Sequence, residues 1–247
     1  IGHSHIQVPG HDGKLGFGGS CFPKDVKALL FFADQLGIDL NVLLGAWKTN
    51  LEVRPNIIAV TKTFSTDVIK PLIDHGHLHY GENKVQEAMS KWSDLKSTNK
   101  AIKLHMIGKL QSNKVKFAVP LFDYIHSLDN LKLAEKISAE QKKLNKNLKI
   151  FIQINIGNEV QKSGIDIDQA QNFYNKCVKE LDLDIIGLMC IPPEKGDTKT
   201  FFTSMDKLNK SLGLKHLSMG MSSDYLDAIN YGSTFVRIGS KIFGKRS

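Results

Sequence analysis

Lys62 closes a short apolar run, Asn56-Ile57-Ile58-Ala59-Val60-Thr61-Lys62, and polar Thr63 and Ser65 follow closely. An amine at the end of a buried strand is costly. Burial lowers a lysine's pKa toward the neutral form, which attacks aldehydes. A Schiff base is therefore the chemistry this position raises. Further along, Met221-Ser222-Ser223 opens a helical stretch, and Gly239-Ser240 adds a small residue beside a second hydroxyl. Free backbone N–H groups and hydroxyls at such starts suit an anion. Arg237, two residues before Gly239, needs a partner if it points into a folded interior. That partner is either a buried carboxylate such as Glu82 or the ring nitrogen of a heteroaromatic ligand. Near the N-terminus, a glycine-rich stretch from His11 to Asp25 leads into a helical pattern. Pro23 and Asp25 suit its first turn. Cys21 beside a helix start is open to a lowered thiol pKa, although a loop and cap is the simpler reading.

These residues need elements to hold them. Apolar, β-branched runs alternate with amphipathic helical patterns after residue 55. Strands are expected near 56–62, 77–81, 102–107, 122–126, 149–155, 184–190, 214–219 and 233–238. Helices are expected near 66–75, 83–93, 111–118, 129–145, 166–181, 198–211 and 222–231. Eight β/α units in this length predict an α/β fold, a (β/α)8 TIM-type barrel. An open doubly wound sheet normally carries a glycine-rich turn after its first strand, and Thr61-Lys62-Thr63 is none. The stretch 240–247 is too short for a normal closing helix. One of two helical patterns, 24–36 or 40–51, is expected to pack where that helix is missing.

In such a barrel the strand C-termini build the active site, and the loops after strands seven and eight often bind phosphate. Ser222 and Ser240 then stand on neighbouring strands. A lysine for an aldehyde, a phosphate cradle and an inward arginine together describe pyridoxal 5′-phosphate (PLP).

Composition narrows the classes. The net charge is +8, and the first 54 residues carry five basic and five acidic side chains, so the excess lies wholly beyond them. The basic residues are scattered along helical stretches such as Lys142, Lys143 and Lys146, and read as a solvated face with no nucleic-acid or membrane partner. No apolar run is long enough to cross a bilayer and no signal peptide is visible, so a cytoplasmic protein is expected. Three widely spaced cysteines argue for a reducing compartment and against a disulfide framework or a metal site.

Ala59-Val60-Thr61-Lys62-Thr63, His79-Tyr80-Gly81-Glu82-Asn83-Lys84-Val85-Gln86-Glu87, His105-Met106-Ile107-Gly108, Gly187-Leu188-Met189-Cys190-Ile191-Pro192, Ser218-Met219-Gly220-Met221-Ser222 and Val236-Arg237-Ile238-Gly239 stand in order along residues 55–247. This series resembles the pyridoxal phosphate homeostasis protein family, itself similar to the N-terminal barrel of alanine racemase (PLP fold type III). The resemblance implies PLP held as a Schiff base on Lys62, with Ser222, Gly239 and Ser240 at the phosphate and Arg237 facing the pyridine nitrogen. Asn83, His105, Met221 and Lys162 match other family positions around the cofactor. It implies cofactor and amino-acid homeostasis without robust catalysis, and apo PLP-dependent enzymes as partners. A cation opposite the ring nitrogen disfavours its protonation and weakens carbanion chemistry. A weak PLP-dependent amino-acid racemase is the alternative.

Val8-Pro9-Gly10, Gly16-Phe17-Gly18-Gly19-Ser20-Cys21-Phe22-Pro23-Lys24-Asp25 and Ala46-Trp47-Lys48-Thr49-Asn50 are similar to the middle of a UDP-glucose 6-dehydrogenase. That resemblance implies catalytic positions at Cys21 and Asp25. Without a dinucleotide-binding fold before them, residues 1–54 read as an inactive fragment, from a gene fusion or a sequence-assembly event.

Overall fold

The computed structural model describes residues 55–157, 159, 163–193 and 196–244. The alternating runs become eight parallel strands: β1 (Asn56–Val60), β2 (His79–Glu82), β3 (Lys103–Met106), β4 (Tyr124–Leu128), β5 (Lys149–Ile154), β6 (Ile185–Cys190), β7 (His216–Met221) and β8 (Phe235–Ile238). Each pairs with the next, and β8 returns to β1 through Asn56↔Phe235 and Ala59↔Ile238, closing the barrel expected from the sequence. The helices between them are α1 (Thr66–Asp74), α2 (Val85–Thr98), α3 (Val115–Leu121), α4 (Leu131–Leu144), α5 (Ala170–Asn175), α6 (Thr198–Ser211) and α7 (Tyr225–Asn230). A π-helical turn, Lys176–Glu180, extends α5. Among the described residues, β8 is followed by α8 (Ser240–Phe243), four residues long. The expected packing of 24–36 or 40–51 into that gap lies outside the described residues.

Local chemistry explains the boundaries. Asn130 caps α4 by accepting a hydrogen bond from the Leu133 N–H at 2.9 Å, and Asn145 ends it in the left-handed region. The expected strand at 122–126 starts later, at Tyr124. Phe122 still belongs to the end of α3, its N–H bonded to the Ala118 carbonyl at 2.9 Å. The helix expected from 222 starts at Tyr225. Residues 221–224 close a turn in which the Met221 N–H donates to Asp224 Oδ1. That turn requires Gly220: its φ is +91°, and a Cβ there would lie 2.6 Å from Ala228 Cβ.

Two apolar layers hold the structure. The larger lies between strands and helices and includes Trp92, Phe122, Ile125 and Phe202. The smaller fills the barrel interior with Ile58, Tyr124, Phe151, Met189 and Phe235. Three histidines pack among those interior rings, His105 and His126 stacked and His79 edge-on to Phe235. The interior is thus packed with side chains through its middle, with room at one end.

Candidate functional site

That room is a cleft of about 710 Å3 at the C-terminal ends of the strands. Seven of the nine residues expected around a cofactor line it: Lys62, Asn83, Met221, Ser222, Arg237, Gly239 and Ser240. Phe64, Ser223 and Lys241, which the sequence reading did not single out, join them. Of these, Lys241 is engaged over the Tyr225 ring, 4.9 Å from its centroid.

Lys62 is half-buried and is aimed by a clamp on its neighbours. The Thr61 hydroxyl donates to Glu82 Oε1 at 2.7 Å, and Lys91 Nζ donates to the Thr61 carbonyl at 2.7 Å. The Thr63 N–H donates to Glu87 Oε1 at 2.6 Å. Thr63 has a φ of +70°, a costly conformation for a β-branched residue, on the order of 1–3 kcal/mol. Lys91 ties both carboxylates together, 2.9 Å from Glu82 and 3.3 Å from Glu87. The clamp thus runs from α2 to the end of β1 and holds the strained turn that carries Lys62.

Asn83 enters from the end of β2. Its Oδ1 is buried and accepts no hydrogen bond among the described residues. Gly108 makes room for it, since a Cβ at that position would lie 2.4 Å from the Asn83 carbonyl oxygen. Opposite, the Gly239 N–H donates to Ser222 Oγ at 3.3 Å, joining the loops after β7 and β8. Ser240 begins α8, whose first N–H groups lack intrahelical acceptors.

Arg237 is buried, and its hydrogen bonds go to neutral oxygens. Its NH1 donates to the Ser218 carbonyl at 2.7 Å and to Ser218 Oγ at 2.8 Å, and its NH2 to the Cys190 carbonyl at 2.8 Å. The ion pair with Glu82, one of two partners left open by the sequence, is not formed: Glu82 faces α2 and is engaged by Lys91, Trp92 and Thr61. Burial lowers the Arg237 pKa from its ordinary value. The cleft therefore has a cation at its base that neutral groups hold in place.

His105 does not line the cleft. It is fully buried below it, bonded to His79 and His126 at 2.9 Å each. Burial holds the pKa of His105 and His126 well below the ordinary value. Cys177 and Cys190 are buried, with thiols pushed up to about 12 by desolvation, which makes them packing groups. Lys162, Cys21 and Asp25 lie outside the described residues. Among the described residues there is no group of three or more potential metal ligands, and no helix is long and apolar enough to cross a membrane. Gly108, Glu87 and Lys91 carry geometry the sequence reading missed. Only the Glu87–Lys91 spacing of four was a readable signal.

Comparison with known proteins places this geometry. Residues 46–247 match the family described as alanine racemase, N-terminal domain, and residues 3–52 match the UDP-glucose/GDP-mannose dehydrogenase family, central domain. A pyridoxal phosphate homeostasis protein of Aquifex aeolicus is 35% identical over 199 residues, covering 77% of this chain and 86% of the relative. That of Escherichia coli K12 is 36% identical over 201 residues, covering 77% and 85%. PipY of Synechococcus elongatus has been solved with and without PLP. The PLP-free structure superposes with a TM-score of 0.73 at 32% identity, covering 81% of this chain and 98% of PipY. The PLP-bound one gives 0.71 at 32%, covering 77% and 92%. An alanine racemase of Clostridium difficile shares the fold at 15% identity, with a TM-score of 0.64, covering 78% of this chain and 52% of the racemase.

Proposed function

The chain belongs to the alanine racemase N-terminal-domain family, and within it to the pyridoxal phosphate homeostasis proteins, and on that premise we propose that it holds PLP on Lys62 for cofactor and amino-acid homeostasis. The observation that carries this reading is the convergence on one cleft of an amine, an anion cradle and a buried cation without an anionic partner among the described residues. The orphaned Asn83 Oδ1 adds a polar fit: it needs a donor from a ligand.

Bound PLP supplies an aldehyde for amines and a ring that withdraws electrons when its nitrogen is protonated. Lys62 would supply the amine that holds the aldehyde, and the clamp on its neighbours aims that side chain into the cleft. Ser222, Gly239 and Ser240 hold the phosphate with hydroxyl and backbone donors. Arg237 would face the ring nitrogen. Asn83 and Met221 close the walls, and His105 acts from beneath. A donor-only guanidinium at that nitrogen disfavours its protonation, so the site retains PLP and gives little support to proton abstraction at an amino-acid Cα. Release to apo PLP-dependent enzymes in the cytoplasm follows as the role, with no robust enzyme activity. Residues 3–52 are similar to the central domain of UDP-glucose/GDP-mannose dehydrogenases, and the PLP reading rests on the barrel alone.

Titration of the purified protein with PLP tests this. Saturable binding with a shifted cofactor absorption is expected, together with Cα proton exchange on alanine or serine far below that of ordinary PLP enzymes. Exchange at ordinary enzyme rates establishes the racemase reading in its place. No saturable binding removes both.

A further inference from the structure

Three histidines lie beneath Arg237: His105 and His126 are buried and His79 is half-buried. His79 Nδ1 lies 2.9 Å from His105 Nε2, His105 Nδ1 lies 2.9 Å from His126 Nε2, and His126 Nδ1 lies 2.8 Å from Ser218 Oγ. Arg237 NH1 donates to that same Oγ at 2.8 Å. This is one unbroken chain. It begins at the first residue of β2, passes through β3, β4 and β7, and ends on the guanidinium of β8 at the cleft.

The polarity of the chain follows from two facts: arginine only donates, and a buried hydroxyl hydrogen needs an acceptor. Ser218 Oγ accepts from Arg237, and the hydroxyl hydrogen cannot return to it. Oγ has a second lone pair, but its own buried hydrogen needs an acceptor, and the partner left for it among the described residues is His126 Nδ1, so the arrangement that satisfies every group has Nδ1 accept. An imidazole that accepts at Nδ1 and is neutral carries its hydrogen on Nε2. His126 Nε2–H then donates to His105 Nδ1, and His105 Nε2–H donates to His79 Nδ1. The guanidinium thus sets the tautomer of three rings in turn.

Packing keeps the rings in these planes. His105 stacks on Tyr124 at 4.1 Å and 13°, and His126 on Phe151 at 4.3 Å and 18°. Phe235 meets His79 and His126 edge-on. The charged groups facing the chain are mostly cationic: Arg237 above His126, Lys96 towards His105, and Lys103 and Lys149 around His79, where His77 is a further titratable neighbour and Asp123 the opposing anion. Burial and these cations keep all three rings neutral.

We propose that His79, His105, His126 and Ser218 form a directional hydrogen-bond chain of neutral Nε2–H histidines that positions Arg237 against the ring nitrogen of bound PLP. They are positioning residues: none touches the cofactor, and their effect passes through the guanidinium. The inference rests on the PLP reading for its purpose, but the chain itself belongs to the protein without ligand.

Long-range 1H–15N correlation spectra of the full-length, 15N-labelled protein free of PLP test it, with assignments from single His→Gln variants. His79, His105 and His126 are each expected to show a protonated Nε2 and an unprotonated Nδ1 at neutral pH. A protonated Nδ1 on His126, or its titration near the ordinary value of about 6.5, overturns the proposal whatever the ligand. The second arm uses PLP. Ser218→Ala, which removes the bridge, is expected to weaken PLP retention about tenfold, the size of one charge-assisted hydrogen bond. It also shifts the pH profile of the bound-cofactor absorption, and Ser218→Thr, which keeps the hydroxyl, restores both. Wild-type retention and profile in Ser218→Ala overturn the positioning role. Correct tautomers in a protein that binds no PLP reject the PLP reading and leave the chain standing.

Discussion

Glu82 and Arg237 are both buried charges within one barrel, and their surroundings treat them in opposite ways. Between β2 and α2, Glu82 meets Lys91 at 2.9 Å, Trp92 Nε1 at 2.9 Å and the Thr61 hydroxyl at 2.7 Å. At the mouth of β8, Arg237 meets carbonyl and hydroxyl oxygens, with no carboxylate bonded to it among the described residues. The first charge is paired inside the protein through its Oε1 and works structurally, holding the strained Thr61–Thr63 turn. The second is oriented but left positive, which costs stability in a low-dielectric site unless a ligand faces it. A buried charge paired by its own protein marks scaffold; one held by neutral groups at a cleft marks a place for a ligand.

The sharpest way to break this contrast is to remove each charge in turn. Glu82→Ala strands the Lys91 ammonium and is expected to cost about 3–5 kcal/mol in urea unfolding, as for other broken buried pairs. A loss under ~1 kcal/mol makes the clamp an ornament. Arg237→Met is expected to do the reverse. It leaves stability within about 1 kcal/mol but weakens PLP binding ten- to a hundredfold, the worth of a charged hydrogen bond at about 1.5–3 kcal/mol. Destabilisation as large as that of Glu82→Ala would turn Arg237 into scaffold.

Acid sharpens the comparison from the interior side. Desolvation lowers the pKa of His77, His79, His105, His126 and His216, with His79 brought to about 4. A histidine with a lowered folded pKa contributes fully above its unfolded value, and that contribution is lost as pH falls toward the folded value. Thermal stability is therefore expected to fall by ~1 kcal/mol or more between pH 6.5 and about 4, above most carboxylate titrations. A flat profile through that window means these rings are not held neutral. The smallest effect is expected at the cradle. Ser222→Ala loses one hydroxyl and weakens PLP binding by about fivefold, or ~1 kcal/mol, with unchanged unfolding; equal weakening for PLP and phosphate-free pyridoxal would place that hydroxyl elsewhere.

The two regions were not equally legible in the sequence. The barrel was readable because β-branched runs alternate with helical patterns, and the eight strands fall within about two residues of their expected limits. Lys62 stood out because an amine ends an apolar run, and Ser222 and Ser240 because they begin helical stretches. The partners of each buried charge were not readable. Glu82 and Lys91 are nine residues apart on a strand and a helix, and the choice between them and Arg237 depends on which face of β2 the carboxylate takes. The histidines sit in four-to-five-residue strands where apolar and polar positions alternate weakly. Barrel closure alone brings His126 to Ser218, 92 positions away.

The central claim is that Lys62 is the amine that holds the cofactor. The cleft contains a second lysine, Lys241, as an internal competitor. Borohydride reduction of the PLP-loaded protein, followed by proteolysis and mass mapping, distinguishes them. The account predicts a reduced pyridoxyl group on Lys62 alone and its loss in Lys62→Ala. Labelling of Lys241 or any other lysine in the wild-type protein, with Lys62 unmodified, contradicts it.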